Sequence, residues 1–215
     1  DVLLHVLHPV TAALIGAAPK LKLIQKIGVG LDAIDLEAAR YRGIAVCNMP
    51  GTNTQAVVEL TLGLMLSVLR RIPDLDRQLR PEGLWGLSVD AQGQFGEIAG
   101  KVVGLVGYGH VARRLETILT ALGAEVLIVA RSPIEPPTDR QVTKETMISR
   151  ADIVSLHIPE APDTRHWLDS AALAALRPGA IVINTARGSL IDEAALVAAL
   201  SSGHIAGAGL DVYAR

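Results

Sequence analysis

The sequence predicts an α/β fold built on a doubly wound parallel sheet, preceded by part of a second domain. Short apolar runs typical of buried strands alternate with helical stretches along most of the 215 residues. The chain is 50% hydrophobic but only 3% aromatic, so Ala, Val, Leu and Ile must form the core. This composition suits helices packed on a parallel sheet, whose buried strands are continuously apolar.

The first alternation covers residues 1–52 and comprises VLLHVL, TAALIGAA, LKLIQKIGV, DLEAARYRG and IAVCN. It predicts parallel strands joined by crossover helices. The pattern starts abruptly, so we expect that the strands completing this sheet precede residue 1. Cys47, the single cysteine, lies in an apolar run and is predicted to be a buried strand thiol, with a nucleophile as the less favoured alternative.

The second stretch, residues 53–97, is predicted to be a helix followed by an arm. TQAVVELTLGLMLSVLRR (54–71) is apolar on nearly every side, with Asn53 or Thr52 as its cap. Such a helix is expected to be buried all round, as a connector between domains or a subunit contact. PEGLWGLSVDAQGQFGEIAG is rich in glycine and indicates an arm or linker. Because the helix and the arm around Trp85 need cover, we expect an obligate homodimer.

The third stretch, residues 98–215, carries the sustained alternation. Its predicted strands are KVVGLV, EVLIVA, ADIVSLH, AIVINT and HIAGAGLDV. Helices are predicted over 110–122, ended by Gly123, and over SAALAAL and DEAALVAALSSG. Five uniformly apolar strands with intervening helices predict a doubly wound open sheet.

Charge and hydropathy argue against nucleic-acid and membrane partners. The formal net charge is -2 and no run of lysines provides a basic surface. The longest apolar stretch near the middle, AVVELTLGLMLSVL, contains Glu59 and is shorter than the ~20 residues that a membrane span needs. The chain begins without a basic, signal-like segment. These features predict a cytoplasmic protein in a reducing compartment.

A glycine motif follows the first strand of the third stretch. In GYGHVA (107–112), Gly107 permits a tight turn, Gly109 allows close approach of backbone to a pyrophosphate, and Ala112 allows close packing of helix on strand. The pyrophosphate would lie at the N-terminus of the next helix. The motif alone is weak, but its position between a strand and a helix predicts a Rossmann dinucleotide site.

The end of the second strand predicts which dinucleotide binds there. The fingerprint expects an Asp or Glu about 20 residues on, which accepts hydrogen bonds from the ribose 2'-hydroxyl. VLIVARSP (126–133) instead places Arg131 and Ser132 at this point. A guanidinium and a hydroxyl suit a 2'-phosphate, so NADP is predicted in preference to NAD. The alternative is that Arg131 only solvates the strand end.

A second polar group, NTARG (184–188), follows the strand AIVINT at the same edge of the sheet. Arg187 there could hold a substrate carboxylate through a fork of two hydrogen bonds and polarise an adjacent carbonyl. The alternative is a surface arginine that precedes a helix.

With these motifs in place, the chain resembles the D-isomer-specific 2-hydroxyacid dehydrogenases, a family that includes phosphoglycerate dehydrogenases and glyoxylate/hydroxypyruvate reductases. The matching segments appear in the family's order over nearly the whole chain: LKLIQKIGVGLDAIDLEAA, CNMPGTNTQAVVELTLGLML, KVVGLVGYGHVA, ADIVSLHIPEAPDT, PGAIVINTARGSLIDEAALVAAL and SGHIAGAGLDVY. The resemblance implies a partial, flavodoxin-like substrate-binding domain (1–52), an interdomain helix and arm (53–97) and a dinucleotide-binding domain (98–215).

The resemblance also implies roles for individual residues. Arg187 would be the catalytic arginine that binds the substrate carboxylate, assisted by backbone amides of Gly28, Val29 and Gly30. A second set of residues would contact the dinucleotide, in order from its nicotinamide end to its adenosine end: Val29, Thr185, Asp211, Gly107, Gly109, His110, Val111, Arg131, Ser132 and Ile158. Lys26 could meet an anionic substrate tail or simply face solvent.

The family's proton donor is a histidine paired with a glutamate, and both are expected beyond Arg215. No spacing places any of the six histidines of this chain beside a carboxylate at the strand edge. His5 and His8 lack companion ligands for a metal, and none is expected.

The leading hypothesis is therefore an enzyme that transfers a hydride between NADP(H) and C2 of a small 2-oxo or 2-hydroxy acid of the glyoxylate, hydroxypyruvate or phosphoglycerate type. The alternative is a non-catalytic dinucleotide-binding or corepressor-type protein of the same fold. A Rossmann methyltransferase is disfavoured, because NTARG and the loop at Gly28 would then have no role.

Overall fold

A computed structural model of the chain describes residues 1–82 and 95–214. The chain divides into two compact units, Asp1–Ala56 and Val57–Arg215. The sequence-based boundaries after residues 52 and 97 remain predictions. The arm predicted around Trp85 lies largely outside the described residues.

The first unit is a small parallel sheet with two short helices. Its strands, in the order β1-β2-β3, and its helices are β1 (Val2–His5), β2 (Leu23–Lys26), β3 (Ala45–Cys47), α1 (Ala12–Ala17) and α2 (Leu36–Tyr41). Thr11 and Asp35 cap the two helices, since each side chain accepts a hydrogen bond from the amide three residues on. Ile15 and Ile24 are fully enclosed in its core.

Cys47 is exposed, so the prediction of a buried thiol is wrong. It stands in β3, at the edge of the three-stranded sheet, where only the intervening Val46 packs against the core. Side chains along a strand point to alternate faces, and Ala45 and Cys47 share the exposed face.

Helix α3 (Thr54–Leu69) agrees closely with the predicted helix over 54–71. Within this chain Leu60 and Leu66 are 41% and 37% exposed, so the expected burial on all sides depends on a subunit contact and stays a prediction. Its buried residues recur every three or four positions and form a single face: Val58, Thr61, Met65 and Leu69.

Helix α4 (Ile72–Glu82) occupies the start of the segment that the sequence indicated to be a polar arm. Pro73 stands in its first turn, where the missing amide would have no helical acceptor. The proline therefore starts this helix, which the sequence did not predict.

The second unit contains a five-stranded, wholly parallel sheet in the order β5-β4-β6-β7-β8. Its strands are β4 (Val102–Val106), β5 (Glu125–Val129), β6 (Ile153–Leu156), β7 (Ala180–Asn184) and β8 (Ile205–Leu210). All five were predicted.

Crossover helices connect these strands: α5 (His110–Ala121), α6 (Lys144–Arg150), α7 (Ser170–Ala175) and α8 (Glu193–Ser201), with a 3-10 turn at Gly188–Leu190. Of these four crossover α-helices, α6 is the one that the sequence did not predict. Its seven residues begin after the cap Thr143, whose hydroxyl accepts a hydrogen bond from Thr146 N.

Helices cover both faces of the five-stranded sheet. Val103 and Leu105 of β4 join a buried cluster with residues of α3 and α5. On the opposite face, Gly104 leaves room for α6, because a Cβ there would lie 2.5 Å from the sulfur of Met147. The predicted doubly wound α/β fold is confirmed.

No helix in the described parts of the chain is both long enough and apolar enough to cross a membrane.

Candidate active site

The carboxyl ends of all five parallel strands of the second unit lie at one edge of the sheet. The predicted site residues of this unit follow those ends, one strand after another: Gly107, Arg131, Ile158, Thr185 and Asp211. In open parallel sheets ligands bind at this edge, in the crevice where the strand order reverses. Here that point is the end of β4, because β5 lies on one side of it and β6 on the other.

The turn after β4 is shaped by its two glycines in different ways. Gly107 has φ +94°, and a Cβ on it would lie 2.6 Å from the backbone oxygen of His157. Gly109 is the N-cap of α5 and provides no side chain to cap it. Apart from its chain neighbours, no atom of the described residues lies within 4 Å of its ideal Cβ position. The first amides of α5 are thus left for an anion beside open space.

The other residues of the motif also fit a dinucleotide. Ala112 is fully buried, as expected where the helix packs closely on the strand. His110 is exposed and Val111 is half-buried at the start of α5. An open glycine, a helix N-terminus without a capping side chain and a tightly packed turn together fit a bound pyrophosphate.

A charged network anchors the turn from the outside. The hydroxyl of Tyr108 donates to a carboxylate oxygen of Glu116, which raises the pKa of the Tyr108 phenol. The other oxygen of Glu116 pairs with Arg140 Nη1 at 2.6 Å. The guanidinium of Arg113 lies 4.2 Å from the centroid of the Tyr108 ring. These contacts tie the glycine turn to the segment that follows β5.

That segment is held by Gln141, which belongs to none of the motifs found in the sequence. The Gln141 Oε1 accepts a hydrogen bond from Ile134 N at 2.8 Å, and its Nε2 donates to Ser132 O at 3.0 Å. A longer contact of 3.4 Å joins Nε2 to Ala130 O. The main chain around Arg131 and Ser132 is therefore bracketed by one carboxamide, while the Arg131 side chain is 76% exposed.

Arg131 does meet a carboxylate, although not one from its own strand end. Its Nη2 lies 2.7 Å from Oδ2 of Asp163, which belongs to the segment after β6. Both side chains are largely exposed. An ion pair of this kind contributes about 0–1 kcal/mol, so it opens readily.

The NTARG turn after β7 is built around Asn184. This side chain is almost fully buried; its Oδ1 accepts from Ala186 N at 3.0 Å and its Nδ2 donates to Arg187 O at 2.8 Å. Arg187, half-buried, donates from Nη1 to Ala186 O at 2.6 Å. A buried polar residue at the end of an apolar strand was the available signal for this positioning role.

Two further contacts support the same turn. The hydroxyls of Thr185 and Thr61 are 2.9 Å apart, and Thr61 also donates to Val57 O within α3. Asp211 follows β8, and its amide donates to Asn184 O at 3.0 Å. Thr185 and Asp211 therefore lie at the same strand edge as Arg187. Their contact with the nicotinamide, which the resemblance implies, stays a prediction.

The last described residues cross over the same turn. A Cβ on Gly188 would lie 2.0 Å from the backbone carbon of Tyr213, so only glycine fits there. Glu193 Oε1 accepts from Ala214 N at 2.5 Å. The chain after β8 is thus held against the turn that carries Arg187.

His157 follows β6 and lies beneath the glycine turn. Its Nε2 is 2.9 Å from the hydroxyl of Ser155, and its amide donates to Val106 O. Burial of the imidazole lowers the pKa of His157 to about 4. The ring is therefore neutral at physiological pH.

In the first unit, the predicted substrate loop follows β2. Gly28 has φ +133°, a conformation that favours glycine, and Met49 N donates to its carbonyl oxygen. Asn48 Nδ2 donates to Val29 O at 2.8 Å. Lys26, for which contact with an anionic substrate tail was one alternative, donates from Nζ to Val6 O.

No group of three or more His, Cys, Asp or Glu side chains in the described ranges could hold a metal ion.

With this geometry established, comparison with known proteins decides the family. Residues 62–215 match the family model of the NAD-binding domain of D-isomer specific 2-hydroxyacid dehydrogenases. The chain belongs to this family.

Two curated relatives are similar to nearly the whole of this chain. The D-3-phosphoglycerate dehydrogenase of Mycobacterium bovis is 42% identical over 211 residues, which cover 95% of this chain and 39% of the relative. The hydroxypyruvate reductase of Thermotoga maritima is 39% identical over 207 residues, which cover 95% of this chain and 66% of the relative. The chain thus spans well under half the length of the phosphoglycerate dehydrogenase and about two thirds of the reductase.

A solved structure shares the fold. An acyclic imino acid reductase in complex with NADPH and D-Arg superposes with a TM-score of 0.91 and is 31% identical. The match covers 100% of this chain and 69% of that one. The family match and the structural match both agree with the parallel α/β fold of the second unit.

The two glycines of the turn give a first prediction. Gly107→Ala should lower the free energy of unfolding by about 2–5 kcal/mol, since it adds both positive-φ strain and a collision with the His157 carbonyl. Gly109→Ala should stay within about 1 kcal/mol of wild type, because nothing occupies its Cβ position. Urea unfolding measures both, and equal losses would contradict this account of the turn.

The buried imidazole gives a second prediction. The pKa of His157 is about 4 in the folded chain and 6.5 in the unfolded chain, so the unfolded chain binds more protons between these values. Stability is therefore complete above pH 6.5 and falls as the pH drops to 4, by on the order of 1–3 kcal/mol. His157→Gln should flatten this part of a pH-dependent urea titration.

The matched control is His110→Gln, which removes an exposed histidine from the same edge of the sheet. It should leave the pH dependence unchanged. If the slope between pH 4 and 6.5 survives in His157→Gln, another group causes it.

Proposed function

We propose that the protein is an oxidoreductase that passes a hydride between NADP(H) and C2 of a small 2-oxo or 2-hydroxy acid. The observation that carries the proposal is the position of Arg187. It stands at the same strand edge as the glycine turn, on a turn held by the buried Asn184. A fixed cation beside a dinucleotide crevice suits a carboxylate substrate.

In this proposal Arg187 binds the substrate carboxylate and orients the adjacent 2-oxo group. Its guanidinium offers a planar fork of donors, which fits a carboxylate through two parallel hydrogen bonds. The amides of Gly28, Val29 and Gly30 would contact the same carboxylate. The relatives named as phosphoglycerate dehydrogenase and hydroxypyruvate reductase support a small hydroxy acid, of the glyoxylate, hydroxypyruvate or phosphoglycerate type.

The dinucleotide would lie across the strand ends. Gly107, Gly109, His110 and Val111 would hold the pyrophosphate at the N-terminus of α5. Thr185, Asp211 and Val29 would contact the nicotinamide half, and Ile158 the adenosine half. When bound, the reduced nicotinamide supplies the hydride for C2 of the acid.

We do not assign His157 as the proton donor. His157 is neutral at physiological pH, because burial lowers its pKa to about 4, and its Nε2 lies at the Ser155 hydroxyl. A neutral, enclosed imidazole is a poor acid at pH 7. The structure thus favours a positioning role for His157.

The proposed preference for NADP rests on Arg131 and Ser132. Both follow β5, and no carboxylate stands at residues 130–132. The Gln141 bracket fixes their main chain and leaves the Arg131 guanidinium exposed for a phosphate.

A homodimer is the proposed assembly. Leu60 and Leu66 of α3 and Ile72 of α4 are exposed in the single chain, and a partner subunit would cover such apolar side chains. Light scattering of the purified protein should give twice the chain mass; a monomeric mass would contradict the proposal. Cytoplasmic localisation likewise stays a prediction.

Replacement of Arg187 tests the activity. NADPH oxidation with glyoxylate or hydroxypyruvate should proceed in the full protein, and Arg187→Gln should lower kcat/KM by about 100-fold or more. The Kd for NADPH should stay within about twofold, since Arg187 holds the acid. Arg165→Gln, at an exposed arginine near the same edge, is the matched control and should retain activity.

The same assay separates the alternative function. If the wild-type protein binds NADPH but oxidises none with either acid, the chain acts as a non-catalytic dinucleotide-binding protein. Equal activity of wild type and Arg187→Gln would remove the role of Arg187.

Replacement of Arg131 tests the cofactor preference. A charge-assisted hydrogen bond contributes about 1.5–3 kcal/mol, so Arg131→Ala should weaken NADPH binding about 10- to 100-fold. NADH binding should change by less than about twofold. Fluorescence titration measures both affinities. The control is Arg177→Ala, which removes an arginine that precedes β7 and pairs with Asp152. Tighter binding of NADH than of NADPH by the wild type would refute the preference.

A further inference from the structure

We propose that Asp163 is a specificity-determining residue: it competes with the dinucleotide 2'-phosphate for Arg131 and so limits how strongly the protein prefers NADPH. The inference rests on the proposed function, in which Arg131 meets that phosphate. The observation behind it is the 2.7 Å ion pair between Arg131 Nη2 and Asp163 Oδ2.

The pair joins two segments that flank the crevice. Arg131 follows β5 and Asp163 lies in the segment after β6, while β4 lies between these two strands. The segment after β6 also passes close to the glycine turn, since a Cβ on Gly107 would lie 2.8 Å from Ile158 Cγ2. The ion pair therefore bridges the adenosine end of the crevice beyond the end of β4.

Both partners have a fixed main chain and an exposed charged end. On one side, the Gln141 carboxamide is hydrogen-bonded to the main chain of Ser132 and Ile134. On the other side, Thr164 is buried; its Oγ1 accepts from Ala161 N at 2.8 Å and donates to Pro159 O at 2.8 Å. The side chains of Arg131 and Asp163 are 76% and 66% exposed. The pair can thus open by side-chain rotation alone, with little cost in free energy.

NADH and NADPH differ in the charge that they bring to this ion pair. The 2'-hydroxyl of NADH carries no charge, so Arg131 can stay on Asp163. The 2'-phosphate of NADPH carries nearly two negative charges and needs Arg131 for itself. Asp163 is then left without its partner, near a phosphate of the same sign. Each NADPH molecule therefore binds against the Arg131–Asp163 attraction and against repulsion from Asp163.

The test is removal of the Asp163 charge in the full protein. Asp163→Asn keeps the shape of the side chain, and Glu160→Gln removes an equal charge from an exposed position in the same segment. Asp163→Asn should tighten NADPH binding about two- to fivefold, which is the range expected of an exposed ion pair. NADH binding and the Glu160→Gln variant should show no change beyond about 1.5-fold.

Salt and a double-variant cycle sharpen the result. The gain in NADPH affinity should shrink as the ionic strength rises from about 0.05 to 0.5 M, because exposed charges are screened. In an Arg131→Ala background, Asp163→Asn should give a smaller gain, since the competition for the guanidinium has been removed.

The outcomes separate this inference from the proposed function. If Arg131→Ala weakens NADPH binding but Asp163→Asn changes nothing, or changes it no more than Glu160→Gln does, the competition is refuted and the NADP preference stands. If Asp163→Asn weakens NADH binding, Asp163 is instead an acceptor for the ribose hydroxyls and the inference fails. If Arg131→Ala leaves NADPH binding unchanged, the proposed cofactor preference fails and the inference fails with it.

Discussion

The parallel alignment of β4 to β8 is the constraint on which the candidate site depends. Because all five strands run in the same direction, the segments that follow them meet at one edge of the sheet. Residues as distant in sequence as Gly107, Arg131 and Arg187 are thereby brought to a common surface. The register is held by buried strands of Val, Ile and Leu with helices on both faces. The chemistry at this edge is supplied by loops, and the sheet supplies their positions.

Much of this arrangement could be predicted from the sequence because the strands are continuously apolar and their ends carry polar motifs. The five strands, α3, α5 and the turns at 107–112 and 184–188 were all found in this way. The misses also have physical reasons. The seven residues of α6 are too few for a clear helical period, and Pro73 starts α4 although prolines more often mark a break. Cys47 lies in an apolar run at a sheet edge, which exposes one face.

The positioning residues were harder to find than the residues they position. Asn184 leaves a trace in the sequence, since it is the only polar residue in an otherwise apolar strand. Gln141 and Asp163 leave none. The role of Gln141 depends on how its own segment folds back on residues 130–134, and that of Asp163 depends on a contact with the segment after β5. A count along the chain can locate a strand end, but it cannot show which distant side chain reaches that end. The role of the predicted site residues in binding stays a proposal for the same reason.

The Gln141 bracket has a consequence for how such a protein can change over generations. Its hydrogen bonds engage only main-chain atoms of residues 130–134, so the loop keeps its path whatever side chains it carries. The side chains at positions 131 and 132 can therefore be replaced without loss of the hydrogen bonds that hold the loop. Under the proposed contact with the 2'-phosphate, a codon change at either position would alter the nucleotide that binds without first requiring a new loop. The evolution of cofactor choice would then be separate from the evolution of the scaffold.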